Sequence, residues 1–152
     1  MSTLKRRDIR EQLLKLLYIR EFFEPEEFEE QKDLYFRLFS VSDEPDEEIV
    51  PFSYDAPKIS ANDRKLIIER FDDIIAHIGE IDHDIEVAMS GWTLKRVSKL
   101  ELSILRIAVY EIKFDEDVPS KVAIDEAVEL TKLYGSKDVS YGFVNGILAK
   151  LV

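Results

Sequence analysis

The stretch from Ser98 to Phe114, SKLELSILRIAVYEIKF, leaves this chain few folds to choose from. Ser98 and Glu101 form a Ser-x-x-Glu capping box, which opens a helix by satisfying backbone N–H groups that have no partner in the first turn. Leu102, Leu105, Ala108, Val109 and Ile112 then recur at helical spacing, and Ile104 and Ile107 widen the stripe. A helix apolar on most of its sides must be buried among other helices. Arg106 lies inside this run. A buried guanidinium needs a partner, and Glu111, Glu126 or a carbonyl is expected to supply one.

The flanking sequence supplies the other helices. Residues 3–23 read as a first helix, capped by Ser2 or Thr3, with Ile9, Leu13, Leu16 and Leu17 inward and Leu14 broadening that side. Pro25 fits the first turn of a second, with Phe28, Leu34, Tyr35, Leu38 and Phe39 as its buried side. Residues 40–59 carry three prolines, many acids and no sustained period, and read as an acidic linker, with Phe52 and Tyr54 pinning it to the body. Ser60 caps a third helix that runs to about Ile78 and stops at Gly79, with Leu66, Ile67, Phe71, Ile74, Ile75 and Ile78 inward. A short fourth follows from Asp82 to Ser90, with Ile85 and Met89 inward. After the central helix, Ser120 caps a sixth, with Val122, Ala123, Ala127, Val128 and Leu130 inward, ended by Gly135. The last helix uses Val139, Phe143, Val144, Ile147 and Leu148. Gly142 and Gly146 within it cost about 1 kcal/mol each relative to Ala, so another helix or a ligand backbone is expected close by. Asn145 between them reads as a satisfied core amide. With only 5 Gly and 5 Pro in 152 residues, the chain is expected to be all-α, with about seven helices.

Several chemistries are excluded. There is no Cys, hence no disulfide or thiolate site. His77 and His83, the two histidines, are six residues apart, which does not match a helical metal pair. No Gly-rich phosphate loop, H-E-x-x-H or G-x-S-x-G occurs. Neither a cofactor nor an enzymatic activity is expected. No apolar run reaches the length of a membrane span and the N-terminus lacks the apolar segment of a secretory signal, so a cytoplasmic protein without membrane contact is expected.

The net charge of −11 disfavours a nucleic-acid partner, but its distribution does not. Residues 1–20 hold six bases against two acids, whereas residues 21–60 hold three bases against 13 acids. A local basic patch binds phosphate even on an acidic molecule. Bases in the first turn of a helix oppose its dipole, so local stability does not account for Lys5, Arg6 and Arg10.

Two segments together resemble the NusB family of bacterial transcription antitermination factors. One is RRDIREQLLKLLY, Arg6 to Tyr18. The other comprises LRIAVYEI (Leu105 to Ile112), VPSKVAIDEAVELTKLYG (Val118 to Gly135) and FVNGIL (Phe143 to Leu148). The resemblance covers about half the chain directly and the rest in helix order. It implies an all-α fold of two packed helical subdomains, about residues 1–79 including the linker 40–59, and about 80–152. It implies recognition of single-stranded boxA RNA in ribosomal RNA transcripts, together with the ribosomal protein NusE. The assembly would join the RNA polymerase elongation complex through other Nus factors and suppress termination, without catalysis. By position, Lys5, Arg6, Arg7, Arg10, Tyr18, Tyr134, Asp138 and Phe143 would face RNA, and Glu101 would meet NusE. Arginines suit phosphates, and aromatics suit unstacked bases. The chain departs from the family pattern at Asp8, where the basic motif often continues, and in its long acidic linker. The alternatives are a protein-interaction scaffold, or a homodimer that occludes the basic patch, and, ranked last for want of a cofactor loop, the RNA-binding appendage of an RNA methyltransferase.

Overall fold

The computed structural model describes residues 4–39, 59–135 and 140–152. Asp138, Val139, Phe52, Tyr54 and nearly all of the acidic linker lie outside them. Among the described residues there are seven α-helices: α1 (Arg6–Arg20), α2 (Pro25–Phe39), α3 (Ala61–Ala76), α4 (Ile78–Ala88), α5 (Lys99–Phe114), α6 (Ser120–Tyr134) and α7 (Ser140–Ala149). A single 3-10 turn, Leu94–Arg96, joins α4 to α5. The chain divides into two compact units, Met1–Phe71 and Asp72–Val152, with the division falling inside α3.

In the first unit, α1 starts at Arg6 rather than at residue 3, because Lys5 and not Ser2 or Thr3 takes the N-cap. The Asp8 carboxylate accepts the Lys5 backbone N–H at 3.0 Å. An acid at this position also offsets the unfavourable arginines of the first turn, which gives Asp8 a structural reason to interrupt the basic motif. Leu13, Leu14, Leu16 and Leu17 are buried. On α2 the buried residues are Phe28, Tyr35 and Phe36, whereas Leu34, expected inward, is exposed. Phe36 instead of Leu34 sits at the i+8 position from Phe28, which keeps the apolar face in register with the helical period. The rings of Phe28 and Phe71 lie 5.5 Å apart, and the Tyr35 hydroxyl donates to the Gln12 side-chain oxygen inside this core. Ile59 N–H donates to the Phe39 carbonyl at 2.9 Å. Ser60 caps α3 as expected, its hydroxyl accepting from Asp63 N–H at 3.1 Å. Leu66, expected inward, is exposed, since Asp63, Ile67 and Phe71 occupy the buried side of that helix.

The second unit is built on α5, which packs against α4, α6 and α7. Every residue from Leu102 to Glu111 is buried. The Ser98 hydroxyl accepts from Glu101 N–H at 3.1 Å and donates to its carboxylate at 3.2 Å. Buried hydroxyls return to the helix four residues back, Ser103 to the Lys99 carbonyl at 2.7 Å and Thr131 to the Ala127 carbonyl at 2.8 Å, so neither is left without an acceptor. Arg106 finds a carboxylate that the sequence reading did not single out. Its Nε and terminal nitrogen donate to the two carboxylate oxygens of Asp82 on α4, at 2.9 and 3.0 Å. This two-point fork is the geometry that a planar guanidinium makes best.

Gly79 does not end a helix. The break falls two residues earlier, at His77, and α4 runs from Ile78 with Gly79 in its first turn. His77 stacks on Phe114 at 4.1 Å between ring centres, and its Nδ1 lies 2.9 Å from the Asp73 carbonyl. The Tyr110 hydroxyl donates to the Asp73 carboxylate. A cluster from α3 and α5 therefore organises the break, with no glycine needed. The reversal after α4 does require one: Ser90 and Gly91 both have positive φ, 50° and 95°, and the second is strained for any side chain. Lys150 caps that same end, donating to the Ala88 carbonyl at 2.9 Å, where a cation meets the negative end of the helix dipole. On the outside of α4, Lys113 sits between Glu80 at 2.8 Å and Asp84 at 2.5 Å. Hydrogen bonds to Asp84 first and Glu80 second raise its pKa above the usual lysine value.

Candidate nucleic-acid interface

The basic end begins one residue before α1. Lys5, Arg6 and Arg7 are exposed on the last residue before the helix and in its first turn. Arg10 is not: it is 8% exposed and belongs to the buried side of α1. Its position explains this, since Arg10, Leu14 and Leu17 follow i, i+4, i+7 spacing and share one side of the helix. The widened stripe that placed Leu14 inward places Arg10 there too. Tyr18, near the end of α1, is 39% exposed and meets Phe22 edge to face at 5.0 Å. The first unit thus offers three exposed basic side chains at the start of α1 and an exposed aromatic pair at its far end.

In the second unit, Tyr134 lies partly exposed in the last turn of α6. Phe143, on α7, is half-buried. It lines a cleft of about 640 Å³ formed by the 3-10 turn, the start of α5 and one side of α7. Glu101 lines the same cleft, with Trp92, Arg96, Gly142, Gly146 and Lys150. One residue expected to face RNA and the one expected to face a protein partner are thereby brought together. Gly142 and Gly146 do not support a close helix crossing, because a Cβ at either would meet nothing within 4 Å. They leave the α7 wall of the cleft bare. Asn145, expected as a core amide, is exposed: it flanks the buried stripe of Val144, Ile147 and Leu148, about 100° around the helix from Val144.

Two aromatic sites carry no expectation from the sequence. Trp92 is 58% exposed and Arg96 stacks over it at 5.5 Å. Tyr141 is 47% exposed, with the Lys132 ammonium 5.9 Å from its ring centre. The first has a legible signal, since Trp92 and Arg96 are four residues apart; Tyr141 has none, because it stands at i, i+3, i+7 spacing with Val144 and Leu148 and reads as part of their stripe. Among the described residues, no group of three His, Asp or Glu side chains is placed to hold a metal ion, and no helix is long and apolar enough to cross a membrane.

The NusB family model matches residues 7–152. The chain is 44% identical over 147 residues to the transcription antitermination protein NusB of Lachnoclostridium phytofermentans, covering 97% of this chain and 98% of that protein. It is 41% identical to the protein of the same name from Agathobacter rectalis, covering 95% and 97%. Among solved structures, T. maritima NusB superposes with a TM-score of 0.71 at 30% identity, covering 99% of this chain and 92% of that one. A chain in a crystal structure of a plectonemic RNA supercoil matches with a TM-score of 0.68 at 23% identity, over 96% of this chain and 92% of that one, and bears on the fold alone.

Proposed function

The chain belongs to the NusB family, and from that membership we propose that it is an RNA-binding transcription antitermination factor, which recognises boxA RNA of ribosomal RNA transcripts together with NusE and acts on elongating RNA polymerase. The observation that carries this reading is the near full-length match to relatives named transcription antitermination protein NusB. The placement of charge supports it. An acidic chain keeps three exposed bases, Lys5, Arg6 and Arg7, at the start of its first helix, where their charge opposes the dipole. A phosphate backbone drawn to them compensates that cost. Tyr18 and Tyr134 offer rings on which bases of a single strand stack. Asp138 and Phe143 are also proposed to contact RNA, and Glu101, which lines the cleft, is the proposed NusE contact. Arg10 acts in this scheme from within the first unit rather than as a solvent-facing phosphate ligand. Binding is positioning and charge neutralisation, and no reaction is involved.

The test is binding of a single-stranded boxA RNA, with and without NusE, across a salt series. Arg6→Ala combined with Arg7→Ala is expected to weaken binding and to flatten the dependence of log K on log salt by roughly one for each phosphate no longer neutralised. Glu101→Lys is expected to weaken binding only when NusE is present. A double variant that binds like the wild type at physiological salt overturns the assignment of the basic end and favours the scaffold, or a dimer that occludes it.

A further inference from the structure

The first turn of α7 holds an aromatic side chain that the packing of its unit covers only in part. Tyr141 precedes Gly142, while the buried residues of that helix are Val144, Ile147 and Leu148. Nearly half of the Tyr141 surface is open to solvent. Exposing a ring to this extent forgoes the burial that normally stabilises an aromatic. The ring nevertheless has a defined neighbour: the Lys132 ammonium, from the last turn of α6, stands 5.9 Å from its centre. Lys132 is itself more than half exposed, and its one ion pair among the described residues is Glu129 at 3.7 Å, a separation at which an exposed pair contributes little. Tyr134, two residues further along α6, is also exposed. Beyond Tyr141, Gly142 leaves open space where a side chain would stand. The result is a ring, a cation and a bare glycine beside the ring on α7.

That combination matches the needs of an unpaired nucleotide. A base has a π-face to lay on a ring, the phosphate beside it needs a cation, and a bare backbone lets the sugar approach. We infer that Tyr141 is a base-stacking platform for single-stranded RNA, with Lys132 holding the adjoining phosphate. The inference rests on the RNA-binding reading above and adds to it a nucleotide subsite at the start of α7. Stacking on a ring tolerates any base, so Tyr141 sets affinity and the path of the strand more than sequence preference.

The experiment uses the full chain with boxA RNA that carries a fluorescent adenine analogue at one position at a time. In the wild type, one position is expected to be quenched on binding, because stacking on the phenol shortens the excited state. Tyr141→Phe keeps the quench and the affinity. Tyr141→Ala loses the quench at that position alone and weakens binding roughly tenfold, within the range for loss of one base–aromatic stack. Lys132→Gln keeps the quench and lowers the salt slope by about one. Far-ultraviolet circular dichroism melts of the three variants establish that each is folded. If folded Tyr141→Ala binds RNA with wild-type affinity and quench, the platform is refuted while the RNA-binding reading stands. That outcome includes the case in which the variant loses only NusE, which would make the corner a protein contact. If the wild type binds no boxA RNA under any salt condition, the RNA-binding reading falls and the platform falls with it.

Discussion

Removing the carboxylate of Asp82 should destabilise the second unit far more than removing the guanidinium of Arg106. The pair joins α4 to α5 through two hydrogen bonds, and its two sides differ in their access to water: the Arg106 side chain is 7% exposed and that of Asp82 is 22%. Asp82→Leu takes two hydrogen bonds from a cation that water reaches poorly. Breaking a buried pair in this way typically costs about 3–5 kcal/mol. Arg106 has interactions beyond those with Asp82, so the expected cost is about 2–4 kcal/mol, below the top of that range. Arg106→Met leaves a carboxylate that can turn towards solvent while the Met fills the apolar run, and about 1–2 kcal/mol is expected. In the double variant the buried charge is gone, and the loss should be smaller than for Asp82→Leu alone. Urea denaturation followed by circular dichroism in the far ultraviolet reads these differences. In a thermal scan each kcal/mol corresponds to roughly 2–4 °C for a chain of this size. Equal losses for the two single variants, or a double variant worse than Asp82→Leu, would refute the reasoning that the under-compensated buried charge, rather than lost attraction, dominates the effect.

Tyr35→Phe leaves the buried Gln12 side chain without its hydroxyl donor, and a loss of about 1–3 kcal/mol in chemical denaturation is expected. Leu105→Ala, at a residue with no exposure, should cost about 2–5 kcal/mol, whereas Leu66→Ala on the solvent side of α3 should fall within about 0.5 kcal/mol of wild type; comparable losses would place Leu66 in a core. Lys113 should titrate above the ordinary lysine value of 10.5, and Asp84→Asn should bring it back further than Glu80→Gln, as read by NMR of the ammonium. Because its folded pKa is raised, whatever stability it contributes is present below the unfolded lysine pKa and disappears as pH rises through the folded one. A Lys113 titration unmoved by Asp84→Asn would rule out that hydrogen bond as the cause.

The helices themselves are legible in the residues, and so is the family. The Ser98–Glu101 cap, the Ser60 cap, the start at Pro25 and the burial of the central helix all match the structure. Each depends on groups three or four residues apart, which one segment supplies by itself. The mismatches share a cause. Leu34, Leu66 and Val122 are apolar and at helical spacing, yet they face solvent, because a wide stripe does not say which of its edges a neighbour covers. Gly79 reads as a stop, but the turn at His77 comes from ring contacts with Phe114 and a carbonyl on the preceding helix. Arg10 belongs by sequence to a basic patch, but its helix buries that side.

The sequence alone therefore determined that the chain is helical, where most of its helices begin, which helix must be central, and that bases gather at one end of an acidic molecule. These follow from local backbone chemistry and from the count of apolar side chains. Only the tertiary structure decided that Arg106 pairs with Asp82, 24 residues away, that Glu101 and Phe143 line one cleft, and that Trp92 and Tyr141 stand in solvent beside cations. Partner choice and exposure depend on which surfaces approach one another, and that depends on the packing of whole helices rather than on any single segment.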